Sequence, residues 1–338
     1  MTVPDSLFPS TFSADSLPAS YIDPEQEYRA LREGCALYDT SQLSTIQISG
    51  SDHRDFLNRL STNECLGRQP SEGFESVFTD HRGRIFALAE LHCRDAQTLL
   101  WTGQSGEDLL KWLERYHFSE DVQMSMDPLR VLEVSGPTAE ALMDELFSVQ
   151  VGRVAPLAEV DIDSPLACFR RLCGDGVQLA GMVEDLRKTA GVLLARGAVP
   201  VGEEAVEIFR IESGEPRQGF ELTLDYNPWE AGLGRAISLS KGCYIGQEVI
   251  ARLDTYDKVK QQLVGLMAHA PVTAGATLHS LDGSALGMVT SRATSPQLGC
   301  EIALAYVRNT GCEPGLRLAC RTEEIERVVT VASLPLVA

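Results

Sequence analysis

Near residue 257 the chain changes its pattern. Upstream, segments with apolar residues at helical spacing alternate with strand-like runs; downstream, short strand-like runs separated by turn residues are all that remain. A helix buries a stripe of period about 3.6 and a half-buried strand one of period about 2, so no single layered unit satisfies both parts. The pattern predicts an α+β body over residues 23–257 and an all-β barrel domain over 258–338, joined near Thr255 to Lys260, with a poorly ordered Ser-, Pro- and Asp-rich lead-in at 1–22. At 338 residues the chain has the length for more than one core.

Local signals refine this outline. Asp23-Pro24 places an N-cap before a first-turn proline and predicts a helix running to Gly34, where glycine would supply a left-handed terminal residue. Leu43 to Ser49 reads as a strand and Asp52 to Leu60 as a helix. Asp80-His81-Arg82-Gly83 reads as the turn of a hairpin between Phe74–Thr79 and Arg84–His92. Helical stripes follow at Leu109, Trp112, Leu113 and Tyr116, at Ala139 to Leu146, and at Val183 to Leu194 before Gly197. In the C-terminal part, Asp282-Gly283 marks a turn between Thr277–Ser280 and Ala285–Ser291.

Charge narrows the function classes. The net charge is −19, and residues 258–338 hold 7 basic and 6 acidic residues, so the acidic excess lies in the body. Direct nucleic-acid binding, which needs a basic face for phosphates, is disfavoured. No apolar run approaches the ~20 residues of a membrane span, and no secretory or Arg-rich targeting segment is visible, so a cytoplasmic protein is expected. The nine cysteines never stand at C-x-x-C spacing, so no stably bound metal is expected either.

Common enzyme signatures such as H-E-x-x-H, G-x-S-x-G and the phosphate-binding glycine loop are missing from the sequence. One octet stands apart, Lys241-Gly242-Cys243-Tyr244-Ile245-Gly246-Gln247-Glu248. Two glycines bracket a thiol, a lysine lies two residues before it, and a helix-forming run begins at Gln247. A cation and a helix N-terminus both favour a thiolate, which makes Cys243 a candidate functional thiol and Lys241 its candidate partner. A buried, inert cysteine in a tight turn fits the same residues.

The octet resembles the K-G-C-[FY]-x-G-Q-E signature of the YgfZ family, folate-binding relatives of the glycine-cleavage T-protein aminomethyltransferase. The resemblance extends to Phe209-Arg210-Ile211-Glu212-Ser213-Gly214, to Asn227-Pro228-Trp229-Glu230-Ala231-Gly232-Leu233, to Gly287–Ser291 and Leu298–Val307, and more loosely to Leu60-Ser61-Thr62-Asn63 and Thr79–Ile85. It implies a body of interleaved α/β subdomains around a central channel, closed by a C-terminal β-barrel. It further implies tetrahydrofolate or a derivative as ligand, with Asn63, Arg210, Glu212, Trp229, Glu230, Gly242, Tyr244, Gly246, Gln247 and Glu248 as cofactor-site residues. By the same resemblance the protein would be an accessory factor in iron–sulfur cluster assembly or repair, and through client enzymes in tRNA modification, with iron–sulfur proteins or the assembly machinery as partners.

The alternative is a folate-dependent aminomethyltransferase or demethylase. The T-protein carries an Asp-Asp pair after its G-G-I-x element, and aligning Gly83-Arg84-Ile85-Phe86 places Ala87 and Leu88 there. Neither side chain can hold or move a proton. A folate-binding or protein-interaction module without thiol chemistry is the third reading.

Overall fold

The computed structural model describes residues 4, 7, 17–256, 258–323 and 325–337. In chain order the elements are α1 (Pro24–Glu33), β1 (Ala36–Asp39), β2 (Ser44–Ser49), α2 (His53–Leu60), β3 (Gly73–Thr79), β4 (Ile85–Cys93), β5 (Gln97–Thr102), α3 (Gly106–Glu114), β6 (Gln123–Met126), β7 (Arg130–Ser135) and α4 (Ala139–Phe147). Then come β8 (Glu159–Val160), β9 (Ala167–Arg170), β10 (Gly176–Gly181), α5 (Val183–Ala195), β11 (Val199–Pro200), α6 (Glu203–Ser213) and α7 (Gln247–Thr255). The last six strands are β12 (Gln261–Ala268), β13 (Thr277–His279), β14 (Ala285–Ser295), β15 (Cys300–Arg308), β16 (Arg317–Arg321) and β17 (Glu326–Ala332).

These strands form a six-stranded mixed sheet ordered β11-β1-β7-β10-β9-β8, a five-stranded sheet ordered β3-β4-β5-β2-β6, and a closed barrel ordered β12-β15-β14-β13-β16-β17. The chain divides into two compact units that interleave along the sequence. The first comprises residues 1–76, 88–206 and 240–242, and the second residues 77–87, 207–239 and 243–338. Much of the expected lead-in lies outside the described residues; within it, Pro18 O and Ala19 O accept hydrogen bonds from the Glu203 and Glu204 amides, and Leu7 is buried.

In the first unit, α4 and α5 pack on one face of the six-stranded sheet, around Leu37, Leu132, Val134, Val177 and Leu179. α1 is capped as expected, Asp23 accepting from the Gln26 amide with Pro24 in the first turn. Gly34, however, sits at φ −131°, outside the left-handed region. A Cβ there would meet the Ala30 backbone at 3.4 Å, an ordinary contact distance, so neither the dihedral nor the packing demands glycine. The stop at Gly197 does use a left-handed residue, at φ 97°.

In the second unit the barrel interior is filled by Leu266, Leu278, Val289, Ala305, Leu318, Val329 and their neighbours. These alternate with outward-facing positions, as an antiparallel strand requires. Gly283 turns β13 into β14 at φ 98°. The 77–87 hairpin closes as expected, with Asp80 Oδ1 accepting from the Arg82 and Arg84 amides at 2.8 Å each and Gly83 at φ 70°.

Candidate functional site

The octet runs from the first unit into the second, and its two ends are held separately. In the first unit, Lys241 is buried and its Nζ donates to the carbonyls of Asn58, Ser61 and Asn63 at 2.6, 2.7 and 2.6 Å. The last carbonyls of a helix have no partner within it. The lysine therefore caps the C-terminal end of α2, where a cation also suits the helix dipole. Burial lowers the Lys241 pKa to about 8, against the opposing pull of neighbouring Cys65 and Glu64. The expected partnership of Lys241 with Cys243 is thus redirected: the ammonium is placed on backbone carbonyls, and its thiol neighbour is Cys65, itself pushed up to about 12 by burial.

Asn63 belongs to this same turn. Its amide donates to Ser76 Oγ at 2.8 Å, its Nδ2 donates to Glu75 O at 2.8 Å, and its Oδ1 accepts from the Glu64 amide at 2.9 Å. Asn63 is 8 % exposed, so it serves the turn's geometry before any ligand.

In the second unit, Cys243 is exposed, whereas Cys35, Cys65, Cys93, Cys168, Cys300 and Cys320 are buried. The chain after it is fixed to the hairpin: Thr79 Oγ1 donates to Ile245 O at 2.7 Å. Gly246 is the N-cap of α7 at φ 82°, and a Cβ there would fall 2.6 Å from Asp80 O and 2.7 Å from Thr79 Oγ1. Only glycine fits that approach. Gly242, by contrast, has open space where a Cβ would project. Tyr244 is buried and its phenol pushed up to about 12, while Gln247 and Glu248 open α7, Glu248 on its exposed side. Cys243 therefore lies four residues before the first helical position, on a loop pinned immediately behind it.

The remaining candidates separate into structural and accessible groups. Arg210, on α6, spends all five of its N–H donors: on both Glu207 oxygens (2.8 and 2.6 Å), Glu215 O (2.6 Å), Glu221 Oε2 (3.1 Å) and Ser291 Oγ (2.8 Å). To contact a folate carboxylate it would have to break one of these bonds. Glu212 is fully buried, accepts from Ser295 Oγ at 2.5 Å and offers its backbone O to the Leu336 amide at 2.7 Å. Arg210 and Glu212 thus both hold the second unit together.

Trp229 and Glu230 are placed differently. They line a cleft of about 290 Å³ with Leu253, Asp254 and Gln262. Trp229 Nε1 is anchored on Ile250 O at 3.0 Å, and Glu230 Oε2 accepts from the Asn227 amide at 3.0 Å and faces Arg84 at 3.4 Å. Burial holds the Glu230 carboxyl above its ordinary value, although the Asn227 amide and Arg84 act to lower it. The arrangement pairs an aromatic face with a carboxyl able to keep a proton nearer neutrality.

Glu221 escaped the sequence reading. It is fully buried and central to the second unit: Thr290 and Ser291 hydroxyls donate to its Oε1 at 2.6 Å each, and Arg210 and the Arg217 amide to its Oε2. Its backbone O accepts from the Tyr306 hydroxyl at 2.8 Å, and Tyr306 stacks on Tyr226 with ring centroids 3.5 Å apart. At the aligned carboxylate positions, Ala87 is buried and Leu88 half-buried. Among the described residues, no group of three or more His, Cys, Asp or Glu side chains is arranged to hold a metal ion, and no helix is long and apolar enough to cross a membrane.

Residues 8–162 match the family described as the GCVT N-terminal domain, and residues 261–337 the glycine cleavage T-protein C-terminal barrel domain. The chain is 29 % identical to an aminomethyltransferase of Bacillus subtilis over 90 % of its own length and 88 % of that protein's. It is likewise 29 % identical to a chloroplastic protein of Arabidopsis thaliana with a provisional transferase name, over 90 % of this chain and 72 % of that one. Among solved structures, the glycine cleavage system aminomethyltransferase T of Bartonella henselae superposes with a TM-score of 0.83 at 22 % identity, covering 93 % of this chain and 89 % of the other.

Proposed function

Because the chain carries the N-terminal domain and the C-terminal barrel domain of the glycine cleavage T-protein family, we propose that it binds tetrahydrofolate and acts as an accessory factor for iron–sulfur cluster assembly or repair, with Cys243 as its working thiol. The observation that carries this reading is the presentation of Cys243, exposed on a loop whose next residues are fixed by Thr79 and by the obligatory glycine at 246. A protein that needed this cysteine only for packing would bury it, as it buries Cys65 and Cys168.

Folate suits part of the residue set. The Trp229 face and the Glu230 carboxyl line one cleft, and a flat heterocycle with an amide edge is recognised by that pairing of stacking and hydrogen bonding. Arg210 and Glu212 are committed to internal bonds and contribute to the ligand only by positioning the fold. Calorimetric titration with tetrahydrofolate should show saturable binding that Trp229→Ala or Glu230→Gln weakens. Absence of binding by the unaltered protein removes the ligand from the proposal.

A second reading, folate-dependent aminomethyl transfer or demethylation, is favoured by the names of the relatives, which match over 90 % or more of this chain as aminomethyltransferases. The apolar pair Ala87 and Leu88 weighs against it, since transfer from an amine needs a group that can take up charge or a proton. Two assays separate the readings. Formation of methylene-tetrahydrofolate from an aminomethyl donor above background decides for transfer; loss of a cluster-dependent enzyme activity in cells on Cys243→Ala, with folding intact, decides for the accessory role.

A further inference from the structure

On the outer face of the barrel, β12, β17 and β16 lie side by side, and their registers set Met267 opposite Thr330 and Thr330 opposite Arg317. The alternate residues Leu266, Val331 and Leu318 point into the barrel core, so this row faces outward. Around it opens a cleft of about 510 Å³ whose lining also includes His269, Arg327 and Val328. That volume is within the usual small-molecule range of ~300–1,000 Å³.

The cleft contains cations without their counterions. Two other arginines of the barrel are paired, Arg321 with Glu326 at 2.7 Å and Arg292 with Glu301 at 4.0 Å, while exposed Arg308 has no ion pair among the described residues. The Arg317 side chain makes no hydrogen bond or ion pair among the described residues, and that of Arg327 makes one long contact of 3.5 Å to Glu326 O. Among the described residues no acidic side chain is part of the lining, in a protein of net charge −19. Two guanidinium groups offer planar forks of N–H donors, the geometry that suits phosphate or carboxylate oxygens. Beside them, Met267 and the exposed Val328 present apolar surface.

We propose that this cleft binds a small molecule bearing a dianionic head, either a phosphate monoester or a pair of carboxylates, on an apolar body. The two arginines hold the head, and Met267 and Val328 contact the body. The site is independent of the folate reading, since every residue in it lies on the barrel.

The test is a titration of the full chain with phenyl phosphate, with inorganic phosphate and with succinate, read by the Nε–Hε NMR signals of arginine. Phenyl phosphate should shift the Arg317 and Arg327 signals saturably, at least tenfold more tightly than inorganic phosphate, and Arg317→Met or Arg327→Met should weaken it at least tenfold. Succinate binding more tightly than inorganic phosphate identifies a dicarboxylate head, and the reverse a phosphate. The proposal is overturned if no dianion gives a saturable shift in the unaltered protein. It is equally overturned if a folded double variant, verified by an unchanged melting temperature, binds phenyl phosphate as tightly as the parent.

Discussion

Replacing Lys241 by methionine keeps the aliphatic stem and removes the ammonium from the three carbonyls of Asn58, Ser61 and Asn63. A hydrogen bond to a charged group contributes about 1.5–3 kcal/mol, so three together supply roughly 4.5–9 kcal/mol. Against this stands the burial of the charge. The fall of the lysine pKa from 10.5 to about 8 corresponds to about 3 kcal/mol. The balance puts the cost of Lys241→Met near ~3 kcal/mol once water reaches part of the vacated turn. Denaturant unfolding read by tryptophan fluorescence, to which Trp101 and Trp112 of the first unit contribute, measures it, and hydrogen exchange over residues 58–65 localises it. The dependence on pH has a definite sign. Between about 8 and 10.5 the unfolded chain retains a proton the folded chain has released, so this lysine's contribution to stability rises with pH there, and the variant lacks that rise. A variant of unchanged stability with a less reactive Cys243 refutes the capping role and restores the lysine as a partner of the thiol.

Further outcomes follow from the same geometry. Gly246→Ala forces a Cβ within 2.6 Å of Asp80 O at φ 82° and should destabilise by about 2 kcal/mol or more, whereas Gly242→Ala, facing open space, should be within about 0.5 kcal/mol of neutral; equal losses on denaturation contradict this. Arg210→Met strands Glu207 and buried Glu221 and should cost about 3–5 kcal/mol. Burial acts to raise the Glu207 pKa, but Arg210 and Arg217 hold it below 4.5; its contribution is present above that value and lost as pH falls through the lowered one, so the variant should show a shallower acid transition. Brief alkylation of the native protein should modify Cys243 and Cys173 and spare Cys35, Cys65 and Cys168, whose thiols burial pushes up to about 12. Peptide mass spectrometry reads this directly, and labelling of Cys168 at the rate of Cys243 contradicts it.

Where local chemistry determines the backbone, the residues announce the fold. The Asp23-Pro24 cap, the Asp80–Gly83 hairpin, the Asp282-Gly283 turn and the alternation of the barrel strands all lie where their patterns place them. β1 and β10 gave no such signal, because every residue of Ala36–Asp39 and Gly176–Gly181 is buried and nothing alternates. α6 was hidden within a motif that drew attention to Arg210 and Glu212 as ligand contacts. Their partners Glu221, Ser291 and Ser295 stand 11, 81 and 83 residues away, distances that spacing cannot reveal. Lys241 was misleading for a related reason: its partners are backbone carbonyls, which carry no residue-type signature.

The interleaving of the two units bears on how the chain comes into being. The polypeptide passes from one unit to the other five times, and three residues, 240–242, complete the first unit long after its other segments. During synthesis the hairpin 77–87 must wait for residues 207–338, and the turn at 58–63 for Lys241. The second unit cannot finish until the barrel strands emerge, and until then the nascent chain holds the apolar surface and strand edges that they complete. Truncation before the barrel would therefore remove more than a terminal module: it would leave the hairpin and α7 without the unit to which they belong.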